Sequence, residues 1–291
     1  MSIDSLQEKI RKTKNPTVLE LAVPECGLPA HLLAESGSAA AAFGRFCREL
    51  LEELKGIVPA VRMPFSAFAL LGAEGLSELT AVLKLAGGLG YYVILDAPEM
   101  LSAGAAQETA RAIWGEGSAF ACDALVVSAY LGSDILKPFL PYCEQGKDLF
   151  VVIRTANRSA PELQDLMTGS RLVHTAAADL AARYAGEKLG KFGYAPVGLL
   201  VSAGAADSLR TLRSKYPRMF LLLDGYDTPK ANGKTCALAM NKYGRGGVVC
   251  AGGEISAAWA REETDGTDYL QQAKEAAQRM KKNLARYITI V

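Results

Sequence analysis

Short apolar runs recur along this chain at nearly even spacing. Eight of them read as strands: residues 17–23, 57–62, 91–96, 124–129, 149–154, 197–202, 219–224 and 247–250. Most are continuous rather than alternating, as expected of parallel strands covered on both faces. Helical patterns lie between them, at 39–54, 76–86, 105–114, 135–143, 176–189, 205–216 and 270–287. The first repeats Phe43, Phe46, Cys47, Leu50, Leu51 and Leu54 at helical spacing. Gly56, Gly88, Gly90, Gly146 and Gly193 stand where helices should stop.

Strand–helix alternation of this length predicts an α/β fold, a (β/α)8 TIM barrel in one domain over 1–291. The competing arrangement is a doubly wound open sheet. That fold usually carries a Gly-rich turn after its first strand. Here the turn reads Val23-Pro24-Glu25-Cys26-Gly27, without such a pattern.

Composition narrows the classes of function. The chain is 50% hydrophobic and 22% charged, with a formal net charge of +1. No basic field invites nucleic acid. No apolar run reaches the roughly 18 residues of a membrane span. The polar stretch 1–15, mixed in charge, has neither signal- nor transit-peptide character, so the expected compartment is the cytoplasm. Six cysteines without a Cys-x-x-Cys pair, and two histidines, predict neither a disulfide framework nor a zinc centre. The thiols read as buried and inert, Cys250 most clearly.

A barrel of this kind does its chemistry at the C-terminal ends of its strands. Those positions supply Glu20, Arg62, Asp96, Glu99, Arg154, Asn157, Asp224, Tyr226 and Glu254 as candidate binding residues. Ser128, Tyr130, Ser202, Asp227 and Lys230 lie on the same rim. Arg62 and Glu20 also read as ordinary partners that neutralise each other at a barrel end. Asp96 closes an apolar strand, where burial without a partner is expensive.

The runs at 123–134, 136–140 and 150–157 are similar, in the same order, to runs of the orotidine 5′-monophosphate decarboxylases, in particular the longer bacterial subgroup. Val58-Pro59-Ala60-Val61-Arg62, Val93-Ile94-Leu95-Asp96-Ala97 and Gly225-Tyr226 extend the resemblance over roughly residues 16 to 258. The family decarboxylates with an Asp-x-Lys-x-x-Asp motif, whose lysine protonates the carbanion left by carbon dioxide. The resemblance puts the first aspartate at Asp96, the lysine at Pro98 and the second aspartate at Leu101. It puts the ribose-holding aspartate at Ala22 and a strand-two lysine at Arg62. The phosphate-gripping glutamine and arginine fall at Pro229 and Gly253, with Glu254 beside them. No lysine lies between Lys84 and Lys137 to restore the motif.

The expectation is a decarboxylase-like barrel without decarboxylase activity, kept for a binding, regulatory or assembly role. It needs no cofactor, no resident metal and no catalytic residue. A diverged enzyme acting on a small anionic ligand is the alternative. There Arg62 and Arg154 would hold the anion, and Glu20, Asp96, Glu99, Asp224 and Glu254 could hold a hard cation. An active orotidine monophosphate decarboxylase is the second alternative. The resemblance further implies a homodimer, with Met100 and Leu101 at the interface, and no nucleic-acid or membrane partner.

Overall fold

The computed structural model describes residues 2–98, 100–261 and 264–291. Ten strands form. They are β1 (Thr17–Glu20), β2 (Ala60–Pro64), β3 (Tyr92–Asp96), β4 (Ala124–Ser128), β5 (Asp148–Arg154), β6 (Met167–Thr168), β7 (Arg171–Leu172), β8 (Val197–Ser202), β9 (Leu221–Asp224) and β10 (Gly247–Ala251). β6 and β7 make a small antiparallel hairpin. The other eight close a parallel barrel in the order β1-β2-β3-β4-β5-β8-β9-β10. These are the eight strands of the apolar pattern, so the barrel expectation holds and the open sheet does not.

Two apolar cores follow from the period-2 alternation of a strand. One lies between the strands and the surrounding helices. The other fills the barrel with Val18, Tyr92, Ile94, Phe150, Phe220, Leu222 and Val248. Gly198 is required by this packing. A Cβ there would stand 2.6 Å from the Phe220 carbonyl oxygen and 2.9 Å from the Phe150 ring. Two residues beyond Val18, Ile94 and Leu222 come Glu20, Asp96 and Asp224. The same alternation that packs the interior therefore delivers these carboxylates to its upper layer.

The polar stretch at the N-terminus is a structural element. Ser2–Thr13 is a helix whose Ile3, Leu6 and Ile10 are buried in the barrel-interior core. Its three apolar positions share one helical face, and burying that face closes the barrel at the end opposite the mouth. On the same side, Tyr92 donates its hydroxyl to Asp148 Oδ2 at 2.6 Å, and both residues are buried.

Two helices differ from their sequence reading. The segment expected to be helical over 135–143 breaks into the 3-10 turns Ser133–Ile135 and Lys137–Phe139 and the short helix Leu140–Glu144. Pro138 and Pro141 lack the N–H that a continuous helix needs. The helix expected over 176–189 is shifted to Val173–Arg183, and Gly186 follows with φ +76°. Five cysteines are buried, but Cys26 is exposed. Among the described residues no helix is long and apolar enough to cross a membrane.

Candidate functional site at the barrel mouth

Strand register sets the centre of the site. Glu20 of β1 pairs with Arg62 of β2, and Ser202 of β8 pairs with Asp224 of β9. Arg62 is only 8% exposed, and its guanidinium gathers three carboxylates. Nε and Nη2 donate to Asp96 Oδ1 and Oδ2 at 2.8 and 2.7 Å, a bidentate pair. Nη1 donates to Glu20 Oε2 at 2.9 Å and to Asp224 Oδ1 at 2.6 Å. Cys250 closes the ring: its Sγ lies 3.7 Å from Arg62 Nη1, and its thiol donates to Glu20 Oε2 at 3.4 Å.

Burial opposes the charge on Arg62. The attraction of the carboxylates of Asp96, Asp224 and Glu20 outweighs it and holds the guanidinium proton well above the ordinary range. Burial also pushes the Glu20 carboxyl up. Arg62 works against that push, and the neighbouring Asp224 and Asp96 reinforce it. Burial lifts the Cys250 thiol well above its usual range, so it is a hydrogen-bond donor rather than a thiolate nucleophile.

Two cavities flank this knot and share Asp224. The larger, about 530 Å³, has mostly apolar walls that include Pro98, Met100, Leu101 and Val126, with Ser128 and Gln164 as polar points. The smaller, about 300 Å³, is lined by Glu20, Asp224, Asp227, Asn157 and Thr228 among others. Among the described residues no lysine lines the larger cavity, and neither lysine nor arginine lines the smaller.

The sequence candidates therefore divide. Glu20, Arg62, Asp96 and Asp224 converge on one point. Asn157 reaches the smaller cavity, where Nδ2 donates to Ser159 Oγ at 2.9 Å. Arg154 does not reach the mouth. Its Nε and Nη2 both bond Asp165 at 2.9 Å, and Nη1 donates to the Thr155 carbonyl at 2.6 Å. Tyr226 packs partly buried against the outer core, and burial pushes its hydroxyl up to about 12. Glu254 is ion-paired with Arg261. Glu99 lies outside the described residues.

Cys250 is buried and inert as a nucleophile, as the sequence suggests, but it also belongs to the site, touching both Arg62 and Glu20. Its position two residues beyond Val248, on the inward face, was the available signal. Thr155, just after β5, and Gln164, at the end of the short helix Pro161–Gln164, line the larger cavity and carried no such signal.

Glu20, Asp224 and Cys250 bring one ligand atom each within 4.8 Å of one another, a spacing that could hold a metal ion. However, Arg62 Nη1 lies within 3.7 Å of a ligand atom from all three. The guanidinium occupies the place a cation would take.

No family model matches the chain. Individual relatives do. The chain is 33% identical over 231 residues to the orotidine 5′-phosphate decarboxylase of Rhodopirellula baltica, covering 78% of this chain and 76% of that one. It is 24% identical over 286 residues to the enzyme of that name from Clostridium novyi, covering 98% of each. Among solved structures, the OMP decarboxylase of Leishmania donovani superposes with a TM-score of 0.75 at 24% identity over 98% of both chains. Sequence similarity across three quarters of a relative, on the same closed barrel, places this chain in the orotidine 5′-phosphate decarboxylase family.

Proposed function

We propose that this barrel does not decarboxylate orotidine monophosphate and serves instead in a binding, regulatory or assembly role. The observation that carries the reading is the mouth itself. Pro98 and Leu101 line the larger cavity at the positions the resemblance gives to a lysine and an aspartate. Proline has no proton to deliver, and leucine carries no charge.

Magnitudes support the reading. A positioned general acid is worth roughly 10²–10⁴ in rate. A charge-assisted hydrogen bond contributes about 1.5–3 kcal/mol, and the positions the resemblance gives to ribose and phosphate contacts hold Ala22, Pro229 and Gly253, whose side chains can make none. Arg62 cannot replace them, because all three of its guanidinium nitrogens are engaged by carboxylates. A phosphate entering the smaller cavity would meet Glu20, Asp224 and Asp227 without a lining cation among the described residues. The paired states of Arg62 and Arg154 likewise weigh against an anion-binding enzyme, and the guanidinium at the cluster centre weighs against a metal-assisted one.

The names of the relatives favour the other reading, a working decarboxylase. One assay separates the two: loss of orotidine monophosphate absorbance with purified protein. We expect no turnover above a mock purification. Rates near those of ordinary enzymes, about 1–10³ per second, would establish the decarboxylase and remove this proposal. Family resemblance also supports a cytoplasmic homodimer.

A further inference from the structure

Outside the mouth, three side chains from separate segments line up as a serine, a histidine and an aspartate. Ser208 stands in the first turn of the helix Ala206–Lys215 and is half-buried. His174 stands in the first turn of Val173–Arg183 and is 3% exposed. Asp165 follows the short helix Pro161–Gln164. Ser208 Oγ is 3.3 Å from His174 Nε2, and His174 Nδ1 is 3.3 Å from Asp165 Oδ1.

The hydrogen bonds fix the tautomer. His174 Nδ1 lies 2.9 Å from the Gln164 carbonyl oxygen. A carbonyl only accepts, so Nδ1 carries the proton and donates it there. Nε2 is then left with a free lone pair facing Ser208 Oγ. That is the arrangement in which an imidazole removes a hydroxyl proton. Arg154 grips Asp165 through two nitrogens and holds the carboxylate beside Nδ1. The helix bearing Ser208 has no side-chain cap among the described residues, which leaves its first-turn N–H groups open to a developing negative oxygen.

We infer that Ser208 is a nucleophile activated by His174, whose ring the Gln164 carbonyl positions and beside whose charged form Asp165 stands, and that this surface site hydrolyses small esters. Ser208 lines neither mouth cavity. The site is therefore separate from the barrel mouth. Ser208 Oγ attacks the ester carbonyl carbon while Nε2 takes the hydroxyl proton. The carbon–oxygen bond to the leaving alcohol then breaks, and the alcohol oxygen receives that proton from Nε2. Water repeats the cycle on the acyl-serine. It gives its proton to Nε2, which returns it to Ser208 as the carboxylic acid leaves. Ester and water become acid and alcohol, with no other reactant.

The test is labelling of the full chain with diisopropyl fluorophosphate, mapped by peptide mass spectrometry, together with hydrolysis of p-nitrophenyl acetate. The expected result is an adduct on Ser208. Ser208→Ala should lower hydrolysis by about 10²-fold or more, and His174→Gln should abolish labelling. Absence of an adduct on Ser208 in the folded wild type overturns the inference, as does equal hydrolysis by Ser208→Ala. If His174→Gln fails to fold, wild type in urea replaces it. Ser208 labelling that persists there at the native rate overturns the inference as well.

Discussion

Replacing Arg62 with methionine removes the one cation from a ring of three carboxylates and keeps an unbranched, similarly long side chain. Glu20, Asp96 and Asp224 all contact the guanidinium at 2.6–2.9 Å. The arginine is 8% exposed, so solvent cannot take its place cheaply. Breaking a buried pair by deleting one partner costs about 3–5 kcal/mol. Against a total stability of about 5–15 kcal/mol, that is a large share.

The loss must also depend on pH. The folded pKa of Glu20 is already raised by burial, with Arg62 as the main restraint. A carboxyl whose folded pKa is raised contributes stability below its unfolded value, 4.5 here, and loses it as pH rises through the folded value. Removing Arg62 raises that folded value further. The variant is therefore penalised most at neutral pH and least as pH falls towards 4.5. Urea unfolding at pH 7.5 and pH 5 measures both effects. A difference from wild type below about 1 kcal/mol at pH 7.5, where about 3–5 is expected, would refute the reasoning. So would a difference that does not shrink at pH 5. Neutralising the ring as well, with Glu20→Gln, Asp96→Asn and Asp224→Asn on top of Arg62→Met, should recover most of the loss. Removing a buried ionic set whole is far less costly than breaking it.

Other tests follow from the floor and the rim. Asp148 is held up at about 7, chiefly by burial and further by Asp123, with the Tyr92 hydrogen bond pulling the other way. Its stabilising contribution is present below 3.8 and lost between there and about 7. Asp148→Asn should thus gain up to about 4 kcal/mol at pH 8 and little at pH 4, and a difference that is the same at both pH values speaks against it. Leu6 is fully buried in the interior core, so Leu6→Ala should cost about 2–5 kcal/mol in urea unfolding, whereas a near-zero change would mean that the N-terminal helix is dispensable. Leu101 is 83% exposed in the single chain, which fits an apolar contact awaiting a second copy, whereas Met100, expected beside it at the interface, is buried in the chain's own core. Light scattering at micromolar concentration should give a dimer mass that Leu101→Asp weakens, and a monomeric wild type sinks the proposal.

The barrel was legible in the sequence because its strands are continuous apolar runs, a pattern imposed by helices on one face and a filled interior on the other. Parity along those runs also marked the site. Val18 points inward, so Glu20 does; the same holds from Ile94 to Asp96 and from Leu222 to Asp224. Arg154 broke the rule for a local reason. The register between β5 and β8 slips between Val152 and Arg154. A bulge re-aims the side chain that follows it, and Arg154 turns to Asp165. The sealing helix was hidden because only Ile3, Leu6 and Ile10 in a charged stretch carry its apolar face. That signal is too short to separate from chance before the barrel end it covers is known.

The pairing of Arg62 with Glu20 was legible in the sequence; its simultaneous hold on Asp96 and Asp224 was not. From sequence, an arginine and several carboxylates at a barrel mouth read either as charges held for a substrate or as partners for one another. Folded, the same residues satisfy one another. Asp96 illustrates the difference. Its presence beside Pro98 would be unexplained if it served only a decarboxylase motif. A bidentate bond to a buried guanidinium gives it a second reason to be there. Without Asp96, Arg62 would lose two of its contacts in a place where an unpaired charge is costly. A mouth that uses its charges for its own stability has fewer left to act on a substrate, the usual exchange between stability and activity at a catalytic site. Family membership and the proposed absence of turnover are thus compatible. The apolar runs that specify the barrel are separate positions from the charges that would run the reaction, and the second set can be rewired while the first still folds.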